Sequence, residues 1–223
     1  MIKKNIIFLD IDGVLCTFRS LWKGWAKAMG VTVEESDFTN FMDDINGINP
    51  IKMKEIDDVF ATGKIPPPNL SLYKWPFDEY CVQYLNQIIK DNDADMVIIS
   101  SWRVGRSKED LDILLKERGV MGNVIGRTGR QETRALEILE WLELTKDKYD
   151  VGMCIIDDES LYDIAYLFDE YCLYDISMKT CGLKEKHIDE SKLIFNKKVD
   201  INDIRNKADN IDNHREAMKN YKK

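Results

Sequence analysis

The chain has 223 residues, of which 44% are apolar and 32% charged, a globular composition long enough for one core domain plus a modest insertion. Its formal net charge of −8 disfavours loose, charge-driven binding of nucleic acid, because a polyanion is repelled at long range. No apolar run approaches bilayer length and no basic-then-apolar leader follows Met1, so a soluble, cytoplasmic protein without membrane contact is expected.

Five cysteines, Cys16, Cys81, Cys154, Cys172 and Cys181, are scattered without CxxC spacing. An odd, dispersed set argues against a disulfide framework or a zinc site, and the thiols are read as reduced. Charge is unevenly spread. Arg103, Arg106, Lys108, Arg118, Arg127, Arg130 and Arg134 fall in one stretch, while acidic residues dominate at 37–58 and 157–170. Such a basic stretch is ordinarily a solvated helix face; a local anion site is the sharper alternative.

In chain order, residues 5–9 read as a buried strand. An insertion follows at 17–73, where Trp22, Trp25, Met29, Phe38, Phe41 and Ile45 recur at helical intervals before Pro66-Pro67-Pro68 stops the pattern. Helical periodicity then covers 77–90, 108–117, 132–144 and 161–168, alternating with strands at 95–99, 123–125 and 151–156 and a fifth candidate at 172–174. After Leu193 the sequence turns polar and charged, which predicts a surface helix or tail at 197–223. The expected fold is therefore α/β, with a Rossmann-like parallel sheet flanked by helices. Its core comprises 1–16 and 74–196, and a small helical cap (17–73) is inserted after the first strand.

Ligands of such sheets bind beyond the carboxyl ends of the strands. The first strand ends in Asp10-Ile11-Asp12-Gly13-Val14, the second in Ser100-Ser101-Trp102-Arg103 and the fourth in Asp157-Asp158, and Arg134 opens the preceding helix. Carboxylates gathered at one edge repel one another, and a hard cation such as Mg²⁺ is the usual remedy. In that setting Asp10 is a nucleophile for phosphorus, and Asp12 is an acid for the leaving oxygen and then a base for water. Gly13 permits a sharp turn that brings backbone N–H groups near a phosphate. Ser100 donates to a phosphoryl oxygen and Arg134 supplies positive charge, while Asp157 and Asp158 hold the metal beside Asp10.

Each assignment has a plainer alternative. Asp10 and Asp12 fit an Asx-capped turn, and Asp157-Asp158 a helix cap before Glu159. Ser100 can bond within its loop, and Trp102 is more often core than ligand. Arg106, Arg127 and Arg130 are read as surface charges. His187 and His214 lie outside every motif, so no histidine-based mechanism is expected.

The ordered set resembles the four motifs of the haloacid-dehalogenase superfamily, phosphatase type. Residues 8–14 correspond to the first, 97–100 to the second, Arg134 to the basic third, and 155–158 to the fourth. Arg130 is close by, and family members commonly carry lysine at the third motif. The resemblance implies phosphorylation of Asp10 and a metal contact from the backbone carbonyl of Asp12. A narrower pattern, Ser100-Ser101-Trp102-Arg103 with Arg134, Glu137, Ile138, Trp141 and Leu142 and then Thr180-Cys181-Gly182-Leu183, resembles phosphatase-type domains found with RNA-repair enzymes and the 3′-phosphatase domain of polynucleotide kinases. That likeness implies that Arg103 contacts the phosphate; Gly13, through its turn, and Ser101 are the further substrate-binding candidates.

The expected activity is Mg²⁺-dependent phosphomonoester hydrolysis of a small phosphorylated metabolite or nucleotide. A nucleic-acid 3′-end phosphatase is the alternative, and a catalytically silent binding module a further one. Asp12 argues against dehalogenation, since a halide needs no acid to leave. The oligomeric state is not readable from the sequence.

Overall fold

The computed structural model describes residues 2–17, 19–20, 23–24, 76–177 and 182–220, with backbone alone at 161–162 and 212–220. The cap expected over 17–73 lies outside these residues except at 17, 19–20 and 23–24, as do Thr180 and Cys181 of the sequence pattern.

The chain alternates strand and helix. Strand β1 (Ile2–Leu9) is followed by helix α1 (Glu79–Asn92), strand β2 (Ala94–Ile98), helix α2 (Lys108–Lys116), strand β3 (Val124–Arg127), helix α3 (Arg134–Thr145) and strand β4 (Tyr149–Ile156). Short helices α4 (Ser160–Asp163) and α5 (Ala165–Phe168) come next, then α6 (Lys186–Phe195) and α7 (Ile201–Asn220). The strands form one parallel sheet in the order β3-β2-β1-β4. Ile6, Ile7, Phe8 and Leu9 are all fully buried; consecutive residues face opposite sides of a strand, so helices cover both faces of the sheet here. Phe8 meets Trp141 of α3 edge-on at 5.5 Å, α1 packs on α6, and α3 packs on α7.

Local chemistry starts and stops these elements. Asp78 caps α1 by accepting the Tyr80 N–H at 3.1 Å, and Ser107 opens α2 with a reciprocal capping box to Asp110. Asp78 also receives the Arg19 guanidinium at 2.6 and 2.7 Å and the Thr17 hydroxyl at 2.7 Å. The chain leaving the β1 loop and the chain entering α1 are thereby tied together.

Three expectations change in detail. The helix expected at 161–168 is broken at Ile164, whose backbone leaves the helical region (φ −122°) while its side chain is fully buried. The fifth strand is reduced to one bridge, with the Leu173 N–H donating to the Ile155 carbonyl at 2.9 Å. Helix α6 was not legible in the sequence because two of its buried positions are polar, His187 and Ser191. The charged C-terminal segment is helix α7, which docks through Ile204 and Ala208, one turn apart. Among the described residues no helix is long and apolar enough to cross a membrane.

Candidate active site

Sheet register assembles the site. Leu9 is level with Ile98 of β2 and with Ile156 of β4, so the residues that follow, Asp10, Ser100 and Asp157, emerge together at the carboxyl edge. The order β3-β2-β1-β4 reverses direction between β1 and β4, the kind of switch point where open α/β sheets bind ligands.

Asp10 is 2% exposed. Its Oδ2 lies 3.1 Å from the Arg134 guanidinium, and its Oδ1 is buried with no hydrogen-bond partner among the described residues. Arg134 is set in place by its own helix. Thr133 caps α3 through the Leu136 N–H at 3.3 Å, and the Arg134 N–H donates to Asp163 at 3.0 Å. The Arg134 guanidinium bridges Asp10 and Asp157. Burial alone would lower its pKa, but the two carboxylates outweigh burial and raise it, so the cation is firmly held. Arg130, the other candidate for the basic position, is exposed.

Asp157 is also 2% exposed. One oxygen accepts the Glu159 N–H at 2.7 Å and the other pairs with Arg134, so the cap geometry and the site geometry coexist in one side chain. Burial, with Asp10 alongside, raises its pKa. Asp158 is pushed up to about 7 by burial first and then by the carboxylates of Asp10, Asp157 and Glu159. One carboxylate oxygen from each of Asp10, Asp157 and Asp158 lies within 4.8 Å of the others. Three converging carboxylates, one with an orphaned buried oxygen, fit a hard divalent cation bound by oxygen ligands.

Asp12 emerges two residues beyond Asp10 and is partly exposed. Its pKa is raised by burial and by Asp10, against the lowering effects of a Trp102 hydrogen bond and Arg134. The turn after it depends on Gly13, at φ +73°, where a Cβ would sit 1.9 Å from the Asp158 carboxylate. Gly182, at φ +66°, supports the same loop from outside, since a Cβ there would lie 2.3 Å from the Val14 carbonyl. The Leu183 N–H donates to that carbonyl at 3.2 Å.

The turn after β2 is a 3₁₀ helix, Ser101–Arg103, begun by fully buried Ser100; Ser101 is exposed. Arg103, expected to reach a phosphate, is directed into the protein instead. It donates to the Ile99 and Ser100 carbonyls and to the Gly129 carbonyl, and forms a two-pronged pair with Glu137 at 2.7 and 2.6 Å. The guanidinium is buried, and its donors are met by these partners. Glu137, quoted in the sequence pattern without a role, is its partner on α3. Trp102, read as core, is 1% exposed and yet donates its indole N–H to both oxygens of Asp12, at 3.0 Å each. The sequence signal for that contact was a tryptophan, apolar in body and polar at one tip, right at a strand end beside the motif. Cys16 is buried, and burial followed by Asp12 pushes its thiol up, which makes it an inert side chain.

A family model described as the HAD domain in Swiss Army Knife RNA repair proteins matches residues 6–188. Neither curated proteins nor solved structures gave a significant match. With the matched span running from β1 into α6, and the four sequence motifs at one edge of the parallel sheet, the chain belongs to the family of HAD domains of RNA repair proteins, whose members are generally hydrolases.

Proposed function

We propose that this chain is a Mg²⁺-dependent phosphomonoesterase that works through a phospho-aspartyl intermediate on Asp10 and acts on the phosphorylated end of a nucleic acid. The observation that carries the reading is the pairing of Asp10 Oδ2 with Arg134 at 3.1 Å while Oδ1, beside Asp157 and Asp158, has no hydrogen-bond partner among the described residues. With one oxygen on Arg134 and the other free of hydrogen bonds among the described residues, the carboxylate has lone pairs left for a cation and for phosphorus. Asp10, Asp157 and Asp158 would hold Mg²⁺, with the Asp12 backbone carbonyl added by the family resemblance, and the ion would offset charge on the phosphoryl oxygens.

The rest is the work of the chain's own groups. Asp10 attacks phosphorus, and Asp12 gives its proton to the departing oxygen and later takes one from the water that cleaves the phospho-aspartate. Arg134 balances negative charge at Asp10, the Gly13 turn lets backbone N–H groups approach the phosphoryl oxygens, and Ser100 and Ser101 offer hydroxyls at the same edge. The division into a core and an inserted cap at 17–73 remains part of this proposal; a cap would close over the bound substrate and set specificity.

The family match supports a nucleic-acid end as substrate. Arg127, which ends β3 at the same sheet edge, and Arg130 are both exposed and positive there. A second reading, hydrolysis of free nucleotides or another small phosphate ester, is favoured by the net charge of −8. The deciding experiment measures phosphate release from 3′-phosphorylated RNA, nucleoside 3′- and 5′-monophosphates and p-nitrophenyl phosphate, with Mg²⁺ or with EDTA, in wild type and Asp10→Asn. Mg²⁺-dependent activity that is lost in Asp10→Asn is the expected result, with the oligonucleotide preferred and its turnover falling steeply with salt. Preference for mononucleotides would move the conclusion to the second reading, and a folded, inactive wild type would leave a silent binding module.

A further inference from the structure

Trp102 has a contact that filling the core does not require. Its indole N–H meets both oxygens of Asp12 at 3.0 Å, although the residue is otherwise buried. The ring itself is fixed. Phe77 lies 5.9 Å away at a tilt of 53°, the Arg118 guanidinium stands 5.9 Å from its centre, and the Trp102 carbonyl accepts from Arg106. On the other side, the backbone after Asp12 is closed by hydrogen bonds from Gly13 to Cys16 at 3.0 Å and from Cys16 to Ile11 at 3.0 Å. The remaining freedom at Asp12 is the rotation of its side chain, and the indole N–H is aimed at that group.

We propose that Trp102 is a positioning residue for proton transfer, setting the orientation of the Asp12 carboxyl toward the leaving oxygen. The inference rests on the reading of Asp12 as acid and base. An indole N–H can only donate, and at 3.0 Å from both oxygens it fixes the plane of the Asp12 carboxyl while each oxygen keeps a further lone pair or proton for the substrate side. In the first step the Asp10–phosphorus bond forms, the ester phosphorus–oxygen bond breaks, and the departing alkoxide takes the Asp12 proton to leave as an alcohol. In the second step water attacks phosphorus and gives a proton to the Asp12 carboxylate, the Asp10–phosphorus bond breaks, and inorganic phosphate departs with both aspartates restored. Rotation of Asp12 away from the ester oxygen would harm the first step most where the leaving group is a poor one.

The test compares kcat/KM on an alkyl phosphate, whose alkoxide needs a proton, with p-nitrophenyl phosphate, whose phenolate leaves readily without one. Trp102→Phe should lose at least about tenfold more on the alkyl ester than on the aryl ester, a fraction of a general acid's full contribution. Replacement of Trp102 by benzothienylalanine, which keeps the ring shape and removes the N–H, should give the same selectivity with unchanged thermal unfolding. In an Asp12→Asn background the Trp102→Phe selectivity should vanish, because the group it acts through is gone. Equal losses on both esters in the Trp102 variants, with Asp12→Asn still selective, would overturn the part assigned to Trp102. Equal losses in Asp12→Asn, or a wild type inactive on both esters, would overturn the acid–base reading and this inference with it.

Discussion

Gly13 leaves the least room for change in the site. At φ +73° the backbone occupies the left-handed region, which costs an L-residue about 1–2 kcal/mol, and a Cβ would fall 1.9 Å from an Asp158 oxygen. Gly13→Ala must therefore move either the Asp12 loop or a proposed metal ligand. Displacements of about 1 Å near reacting groups cost roughly 10²-fold in rate. The variant is expected to fold and to lose activity on that scale, as read from phosphate release beside a thermal melt; near-wild-type turnover would contradict the placement of Asp158 against the turn. Arg103 carries a different lesson at this scale. The narrower family likeness implied a contact with phosphate, whereas in the structure the residue is 7% exposed and pairs with both Glu137 oxygens. One-dimensional adjacency to a motif does not tell which way a side chain turns.

Between elements, the Arg103–Glu137 pair joins the turn after β2 to α3, the helix that presents Arg134 one turn earlier. Glu137 also accepts from the Thr128 hydroxyl at 3.3 Å and the Gln131 N–H at 3.4 Å. Burial raises the Glu137 pKa and lowers that of Arg103, with the attraction between the two opposing each shift. Removing one partner strands the other. Arg103→Met should destabilise the fold by about 3–5 kcal/mol, and Arg103→Met with Glu137→Leu should recover much of that, in chemical denaturation. A single variant as stable as wild type would show that the pair braces nothing.

Helix α6 carries a second polar device. The Lys184 N–H donates to His187 Nδ1 at 2.9 Å, so Nδ1 is unprotonated and Nε2 donates to the Tyr174 carbonyl at 2.9 Å. Burial lowers the pKa of this ring below 6.5, helped by Lys186 and Lys184 and opposed by Tyr174 and Glu190. A depressed histidine pKa means that the unfolded chain binds the proton first. The stabilisation from neutral His187 is full above 6.5 and is lost as pH falls through the folded pKa. The chain has two histidines, so a His214→Asn variant leaves one imidazole to follow by NMR, with a midpoint expected below 6.5. A midpoint above that value would contradict the neutral, backbone-bonded ring.

For the whole molecule, the three converging carboxylates are a source of strain that a bound cation would relieve. Mg²⁺ at a hundred times its dissociation constant adds about 2.7 kcal/mol to stability, or roughly 5–10 °C in Tm for a chain of this size. Wild type is expected to show that rise and Asp157→Asn to lack it, and no shift in the wild type would remove the metal from the proposal. The order of strands and helices from β1 to β4, the four motifs and the likeness to RNA-repair HAD domains were legible in the sequence. Apolar periodicity and strand-end residues are local signals, and a parallel sheet brings strand ends to one edge by construction. Tertiary structure alone decided that Arg134 bridges Asp10 and Asp157, that Arg103 faces Glu137, that Trp102 meets Asp12, and that His187 and Ser191 lie inside a helix. These are partnerships between residues separated by many positions, and they follow from which face of each element is covered. Apolar periodicity marks the face of an element that is buried, but it does not name the residue that meets a given polar group there.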